Sequence, residues 1–185
     1  MRAMTLGEGK RKVYELIDEY SSGGAVSKDE DIEHKMADFF DIAQKQVAAV
    51  QRIVRLKEIE RAPGQTEYEM PPNFDSLYRV WRNGRVKNGY AWKNGKIILP
   101  ESDGGRIEIE YFAIPEKIGP ETPDDYVFEV RDDGCQAMCL YVAAQQLVAD
   151  LIIDYGALFQ LYQNQLSTLS TTLPGGIGLR NTFYR

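Results

Sequence analysis

Residues 28–59 read KDEDIEHKMADFFDIAQKQVAAVQRIVRLKEI and hold the clearest helical pattern in the chain. Apolar side chains recur every three or four positions, which is the period of one face of an α-helix. They are Ile32, Met36, Phe39, Ala43, Val47, Val50 and Val54. Because no Gly or Pro interrupts the run before Pro63, the pattern predicts one helix over residues 28–59, about 45–50 Å long. Ser27 and Glu30 have the spacing of an N-terminal capping box.

Two further helical patterns flank the centre of the chain. Thr5 is placed to cap a first helix, which ends before the run SSGG at residues 21–24. A longer apolar stripe runs from Cys135 to Leu169, and Asp132 or Asp133 is placed to cap its start. Gly156 interrupts this stripe, so we expect a kink or a division into two helices there.

Residues 62–118 have a different character, with short β-prone runs between turn dipeptides. Asn94-Gly95 lies between two such runs and predicts a β-hairpin with a type I′ turn. Ile107, Ile109 and Tyr111 alternate with more polar positions, which predicts a strand with one buried face.

The predicted fold class is therefore α+β and mainly α: an antiparallel helical bundle with a small antiparallel β-domain inserted between the second and third helices. Residues 1–61 supply the N-terminal helices and residues 62–118 the β-domain. Residues 119–170 hold the C-terminal helix that completes the bundle, and residues 171–185 form a C-terminal tail.

Composition excludes several classes of function. The net charge of -6 argues against a general nucleic-acid binder, which normally carries a basic patch. No apolar run is long enough to span a bilayer, and the first residues lack the apolar stretch of a signal peptide, so synthesis in the cytoplasm is expected.

The sequence offers little for catalysis. His34 is the only histidine, and no phosphate-binding loop, dinucleotide fingerprint, zinc-protease or calcium-loop motif is present. Cys135 and Cys139 have a helical spacing, and we expect both to be small core residues. The acidic pairs and runs are typical of caps, turns and solvated faces. We therefore expect no enzyme activity, no cofactor and no metal.

The end of the chain is poor in charge. Residues 155–185 contain no acidic side chain, and Arg180 and Arg185 are their only basic ones. We expect the helix through Leu169 to pack into the protein's own bundle, which accounts for much of this apolar content. The remaining tail still carries four large apolar side chains, which indicate a docking surface on a partner. They are Ile177, Leu179, Phe183 and Tyr184.

Several phrases of the sequence resemble the head–tail adaptor proteins of tailed bacteriophages, also called connector or head-completion proteins. The phrases are KIILPESDGGRIEIEYFAIPEKI from residue 96, ETPDDYVFEV from residue 121 and YVAAQQLVADLIIDYGALFQLYQNQL from residue 141. The N-terminal segments KRKVYELIDEYSS and DEDIEHKMADFFDIAQKQVA are similar to the first two helices of that family. The resemblance covers about three-quarters of the chain and contains no catalytic motif.

The resemblance implies a structural virion protein that is made in the host cytoplasm and located in the neck. Many copies, commonly twelve, would form a homo-oligomeric ring below the portal protein, continue the DNA channel and bind a neck or tail protein. DNA would pass through without specific binding. The portal-docking residues expected in the tail are Ile177, Leu179, Arg180, Phe183 and Tyr184. The acidic residues expected to line or flank the channel are Asp29, Glu30, Asp31, Glu33, Asp38 and Asp41.

Two other classes of function remain open. A tail or baseplate module would bind carbohydrate through an aromatic platform formed by Trp81, Tyr90 and Trp92, although such rings more often fill a small β core. A small helical regulatory protein would act as a dimer and would have no affinity for portal particles.

Overall fold

The computed structural model describes residues 4–20, 30–87, 90–100, 105–149 and 155–169, with the backbone alone at residues 18–20, 30–33 and 147–149. The predicted cap at Ser27, the end of the first helix at residues 21–24 and the tail at residues 171–185 lie outside these ranges.

Four helices and seven strands make up the described chain. The helices are α1 (Leu6–Tyr20), α2 (Glu30–Gln51), α3 (Asp132–Ala149) and α4 (Tyr155–Thr168). The strands are β1 (Ile53–Ile59), β2 (Glu67–Glu69), β3 (Phe74–Arg82), β4 (Arg85–Lys87), β5 (Ala91–Lys93), β6 (Lys96–Ile98) and β7 (Ile107–Ala113). They form a four-stranded sheet in the order β1-β7-β3-β4 and a three-stranded sheet in the order β2-β6-β5, and every strand pairing is antiparallel.

The chain divides into two compact units. The helical unit comprises the described residues of Met1–Gln51 and Pro115–Thr172. The β unit, as far as it is described, comprises Arg52–Ile114. No helix in the described ranges has the length and apolar character needed to cross a membrane.

The predicted fold class is wrong. A mainly helical bundle with a small inserted β-domain does not describe residues that form seven strands in two antiparallel sheets as well as four helices over the described ranges. Strand β1 contains residues 53–59, which the helical period had assigned to a helix of the bundle. The single long helix predicted for the C-terminal half is two helices, α3 and α4. Both differences have identifiable physical causes.

The first difference concerns the helix predicted over residues 28–59. The structure ends α2 at Gln51, and Arg52 has a φ of 61°, the left-handed conformation that terminates helices. The β-branched Ile53 and Val54 then begin β1, which pairs with β7 from Ile53↔Ala113 to Ile59↔Ile107. Val54 fits a helical stripe and a strand equally well, so the apolar period alone could not locate the boundary.

The second difference concerns residues 135–169. In one continuous helix Tyr141 and Tyr162 would be about 30 Å apart at 1.5 Å per residue. Their ring centroids are 5.2 Å apart, so α3 and α4 lie side by side. Helix α3 ends at Ala149 and α4 begins at Tyr155, so Gly156 lies in the first turn of α4.

The predicted start of α1 is confirmed. The Thr5 hydroxyl accepts a hydrogen bond from the Glu8 N–H (3.3 Å), and the Glu8 carboxylate accepts one from the Thr5 N–H (2.9 Å). This reciprocal pair is a capping box. The next turn of α1 packs closely on two aromatic rings. A Cβ on Gly9 would be 3.0–3.1 Å from the rings of Phe40 and Phe128.

Two buried glutamines on α2 fasten the segment that leads into α3. Gln44 Oε1 accepts from the Glu129 N–H (3.0 Å), and its Nε2 donates to the Glu116 carbonyl (3.3 Å). Gln51 Oε1 accepts from the Arg131 N–H (2.8 Å). The two glutamines are seven residues apart and therefore share one face of the helix. Together they satisfy backbone groups of a segment with no regular secondary structure.

The β unit has its own apolar core, and its predicted strands are confirmed. Ile107, Ile109 and Tyr111 are buried on one face of β7, as the alternation indicated. The hairpin between β5 and β6 turns at Asn94 and Gly95, whose φ values of 52° and 73° fit a type I′ turn.

Candidate assembly surface on the last helix

Helix α4 has the sequence YGALFQLYQNQLST and carries no charged side chain. One stripe of the helix is buried in the helical unit. Leu158 and Tyr162 are 0% and 2% exposed. The Tyr162 ring meets Tyr141 edge-on, and its hydroxyl donates to Gln46 Oε1 (2.5 Å), so α4 is fixed to both α3 and α2.

The apolar surface of α4 is wider than its buried stripe. Tyr155, Phe159 and Leu161 are 47%, 36% and 40% exposed. At 100° per residue, Tyr155 and Phe159 lie within about 40° of each other on one flank of the buried stripe, and Leu161 lies on the other flank. We call the flank of Tyr155 and Phe159 the α4 face.

Helix α2 also carries an exposed apolar side chain. Ile42 is 42% exposed and lies one turn from Gln46, which accepts the hydrogen bond from Tyr162. The sequence predicted that much of the apolar content of residues 155–169 packs in the protein's own core, where Leu158, Tyr162 and Leu169 are buried, but Tyr155, Phe159 and Leu161 remain exposed. Exposed apolar surface without interspersed charge is typical of sites that bind another macromolecule.

The structure separates the six acidic residues expected along a channel. Asp29 lies outside the described residues, while Glu30, Asp31 and Glu33 are placed on α2 by their backbone alone. The Asp38 side chain is exposed. Their role along a channel stays a prediction.

Asp41 has internal contacts instead. It is only 9% exposed, and its Oδ1 accepts from the Ile118 N–H (3.0 Å). Its Oδ2 accepts from Lys45 Nζ (2.6 Å). The carboxylate therefore holds the same connecting segment that Gln44 and Gln51 hold.

The expected portal-docking residues lie outside the described ranges. They are Ile177, Leu179, Arg180, Phe183 and Tyr184. Their contribution to docking stays a prediction.

The two cysteines are core residues, as predicted. Cys135 and Cys139 are 0% and 1% exposed and are not joined in a disulfide. Burial, followed by the nearby Asp132 carboxylate, raises the pKa of the Cys135 thiol to about 12. Burial, followed by Cys135, raises the pKa of the Cys139 thiol to about 12. Since the thiolate is the reactive form, neither cysteine is set up as a nucleophile at neutral pH.

The polar residues in the described ranges offer little else for chemistry. Those ranges contain no group of three or more His, Cys, Asp or Glu side chains arranged to hold a metal ion. His34 lies exposed on α2.

The aromatic residues of the β unit do not form one platform. Trp81 lies on β3 of the four-stranded sheet, half-buried beneath the Arg79 guanidinium. Trp92 lies on β5 of the other sheet, and its ring meets Phe74 edge-on at 5.4 Å. Trp92 is 49% exposed, whereas Tyr90 packs against the core. A flat carbohydrate surface would need these rings side by side.

The β unit has one further feature that the sequence did not indicate. A groove of about 600 Å³ opens beside β1 and β2. Its charged lining residues are Lys57, Glu58, Glu60, Glu67, Glu69 and Lys96.

No family model matches this chain, and no curated protein matches it significantly.

Proposed function

We propose that this protein is a head–tail adaptor of a tailed bacteriophage, a structural virion protein without enzymatic activity. In this proposal its copies form a ring beneath the portal protein, extend the DNA channel and join it to the neck or tail. The observation that carries the proposal is the charge-free helix α4, which presents exposed apolar side chains on both flanks of its buried stripe. The sequence phrases that resemble the adaptor family supply the class of assembly.

The α4 face is suited to contacts between copies. Burying a side chain such as Phe159 contributes about 1.5–3 kcal/mol before the costs of association are subtracted. The absence of charge on α4 matters because an unpaired ionised group would oppose burial. A ring repeats the contact at every subunit, so a modest pairwise affinity gives a stable assembly.

The negative net charge of the protein is consistent with DNA passing through the ring without binding to it. A net charge of -6 per subunit repels phosphate backbones, and a ring multiplies this field. In the proposal Asp38 lines or flanks the channel together with its acidic neighbours at the start of α2. A position on the outer rim of the ring, away from DNA, would contradict this part of the proposal.

The C-terminal tail, residues 171–185, is proposed to dock on the portal. Its anchors are Ile177, Leu179, Phe183 and Tyr184, and the only charged side chains in the tail are Arg180 and Arg185. Burying four such side chains desolvates very little charge, and Gly175, Gly176 and Gly178 allow the backbone to bend.

Deletion of residues 174–185 tests the proposal. We expect the truncated protein to keep its far-UV circular dichroism and its oligomer mass, because helix α4 remains, but to lose association with the cognate portal protein. Sedimentation of mixtures with assembled portal rings measures both mass and association. Undiminished co-sedimentation of the truncated protein would show that the tail is not the anchor. A full-length protein that forms only a dimer and ignores portal rings would contradict the adaptor function itself.

A further inference from the structure

Strand β1 is a long strand at the edge of its sheet. It has seven residues, Ile53–Ile59, and among the described strands it pairs only with β7. The opposite edge of the sheet, β4, has three residues. An edge strand of this length presents a row of backbone N–H and C=O groups that can pair with another extended segment.

The two sides of β1 differ in character. Its register with β7 places Lys57 and Ile59 opposite Ile109 and Ile107, on the face that covers the core. Val54 and Leu56 are therefore on the outer face, because side chains alternate along a strand. Leu56 is 58% exposed, the highest value among the large apolar side chains in the described ranges.

The groove lies beside the core-facing side of this edge, where β2 forms the edge of the second sheet. Its charged lining comprises four carboxylates and two ammonium groups. Lys96 pairs with Glu67 (3.4 Å), and Lys57 Nζ donates to the main-chain carbonyl of Glu69 (2.6 Å). The groove therefore has an excess of negative charge, to which the exposed Glu60 and Glu69 contribute.

One segment of the chain matches both sides of this edge. Residues 177–185 read IGLRNTFYR and have the alternation of a β-strand. In an extended strand, Ile177, Leu179 and Phe183 would share one face, and Arg180 and Tyr184 would share the other. The segment has no acidic residue and no proline, so it is positively charged and every residue retains its backbone N–H.

We propose that residues 177–184 add to the outer edge of β1 as a further strand. Ile177, Leu179 and Phe183 would then lie beside Val54 and Leu56 on the outer face. Arg180 and Tyr184 would point towards the acidic groove. The pairing resembles the strand addition by which sheet edges bind extended peptides, with backbone hydrogen bonds for affinity and alternate side chains for specificity.

This binding does not depend on the proposed adaptor function. It does place the tail in competition, because a tail paired with β1 is not available to a portal and must leave the edge to dock. The experiment below contains no portal protein, so its failure and a failure of the adaptor proposal are distinguishable.

Hydrogen exchange on the full-length protein tests the added strand. Leu179→Asp places a charge on the apolar face of the tail, where it would have to be buried beside Leu56. We expect the amides of β1 to exchange about tenfold faster in this variant, since exchange tracks the local opening free energy. Amides of β3 serve as the internal reference and should not change. Unchanged exchange along β1 would overturn the proposal.

A peptide of residues 173–185 supplies the second arm. Added to the Leu179→Asp protein, it should restore the protection of β1 in a saturable manner. The same peptide with Arg180→Glu should bind about tenfold more weakly, because its charge no longer complements the groove. Equal restoration by a peptide of the same composition but without the alternation would contradict strand addition.

A matched pair of variants tests the site on the sheet. Leu56→Asp should abolish restoration by the peptide, whereas Val86→Asp should leave it within about twofold. Val86 is 46% exposed and lies on the opposite edge of the same sheet, so both changes place one charge on an exposed strand position. If both variants lost restoration by the peptide equally, the effect would come from general destabilisation, and β1 would be excluded as the binding site.

Discussion

At the scale of single residues, the helical unit depends on small and polar side chains that the apolar pattern does not single out. Gly134 lies in the first turn of α3, where a Cβ would be 2.6 Å from Val47 Cγ1 and 2.7 Å from Gln51 Nε2. Gln51 is only 4% exposed and holds the backbone at Arg131, so it has little freedom to move aside. The close approach of α2 and α3 therefore requires glycine at this position.

Replacement of Gly134 by alanine should lower the free energy of unfolding by about 1–3 kcal/mol, because the added methyl group overpacks the contact with α2. Gly156→Ala is the matched control, since a Cβ there meets nothing within 4 Å. That change should leave stability unchanged or raise it by up to about 1 kcal/mol through helix propensity. Urea unfolding of the two variants measures the difference. Equal effects would show that the contact with Val47 is not tight in solution.

At the scale of elements, α4 combines two surfaces. Leu158 and Tyr162 attach it to the helical unit, and Tyr155 and Phe159 remain available on the adjoining flank. A helix with an apolar stripe wider than its contact surface indicates a second partner. The edge strand β1 shows the same property in the β unit, where Leu56 is exposed on a strand that pairs with β7 alone among the described strands.

Phe159→Glu should dissociate the oligomer, because association would bury an unpaired carboxylate on the α4 face. We expect association to weaken by at least about tenfold, a change of about 1.4 kcal/mol, with far-UV circular dichroism unchanged. Gln160→Glu adds the same charge to the adjacent exposed position, about 100° around the helix, and should leave the mass intact. Sedimentation velocity over a concentration series measures both. An oligomer that survives Phe159→Glu would exclude the α4 face from the interface.

At the scale of the whole molecule, the proposed ring requires an acidic chain with a net charge of -6 to associate with itself. Like charges on neighbouring copies repel, so association must come from surfaces that carry little charge. The α4 face meets this requirement. Association through salt bridges between copies would require charged side chains at the interface, and α4 has none.

The oligomer should therefore resist salt. Raising NaCl from about 0.1 M to about 1 M shortens the Debye length from about 10 Å to about 3 Å and weakens exposed ion pairs. We expect the mass of the full-length protein, measured by light scattering, to remain constant or to rise as repulsion between copies is screened. Dissociation at high salt would contradict an apolar interface.

The sequence by itself determined the elements whose causes are local. The cap at Thr5, the turn at Asn94 and Gly95, the one buried face of β7 and the burial of both cysteines follow from hydrogen-bonding groups, backbone preference and side-chain alternation close in the chain. Only the tertiary structure decided where α2 ends, because the apolar period near Val54 fits a helix and a strand, and pairing with β7 selects the strand. It also decided which apolar residues of α4 stay exposed and which strands lie at the edges of the described sheet. Those properties depend on partners distant in sequence, which local periodicity does not encode.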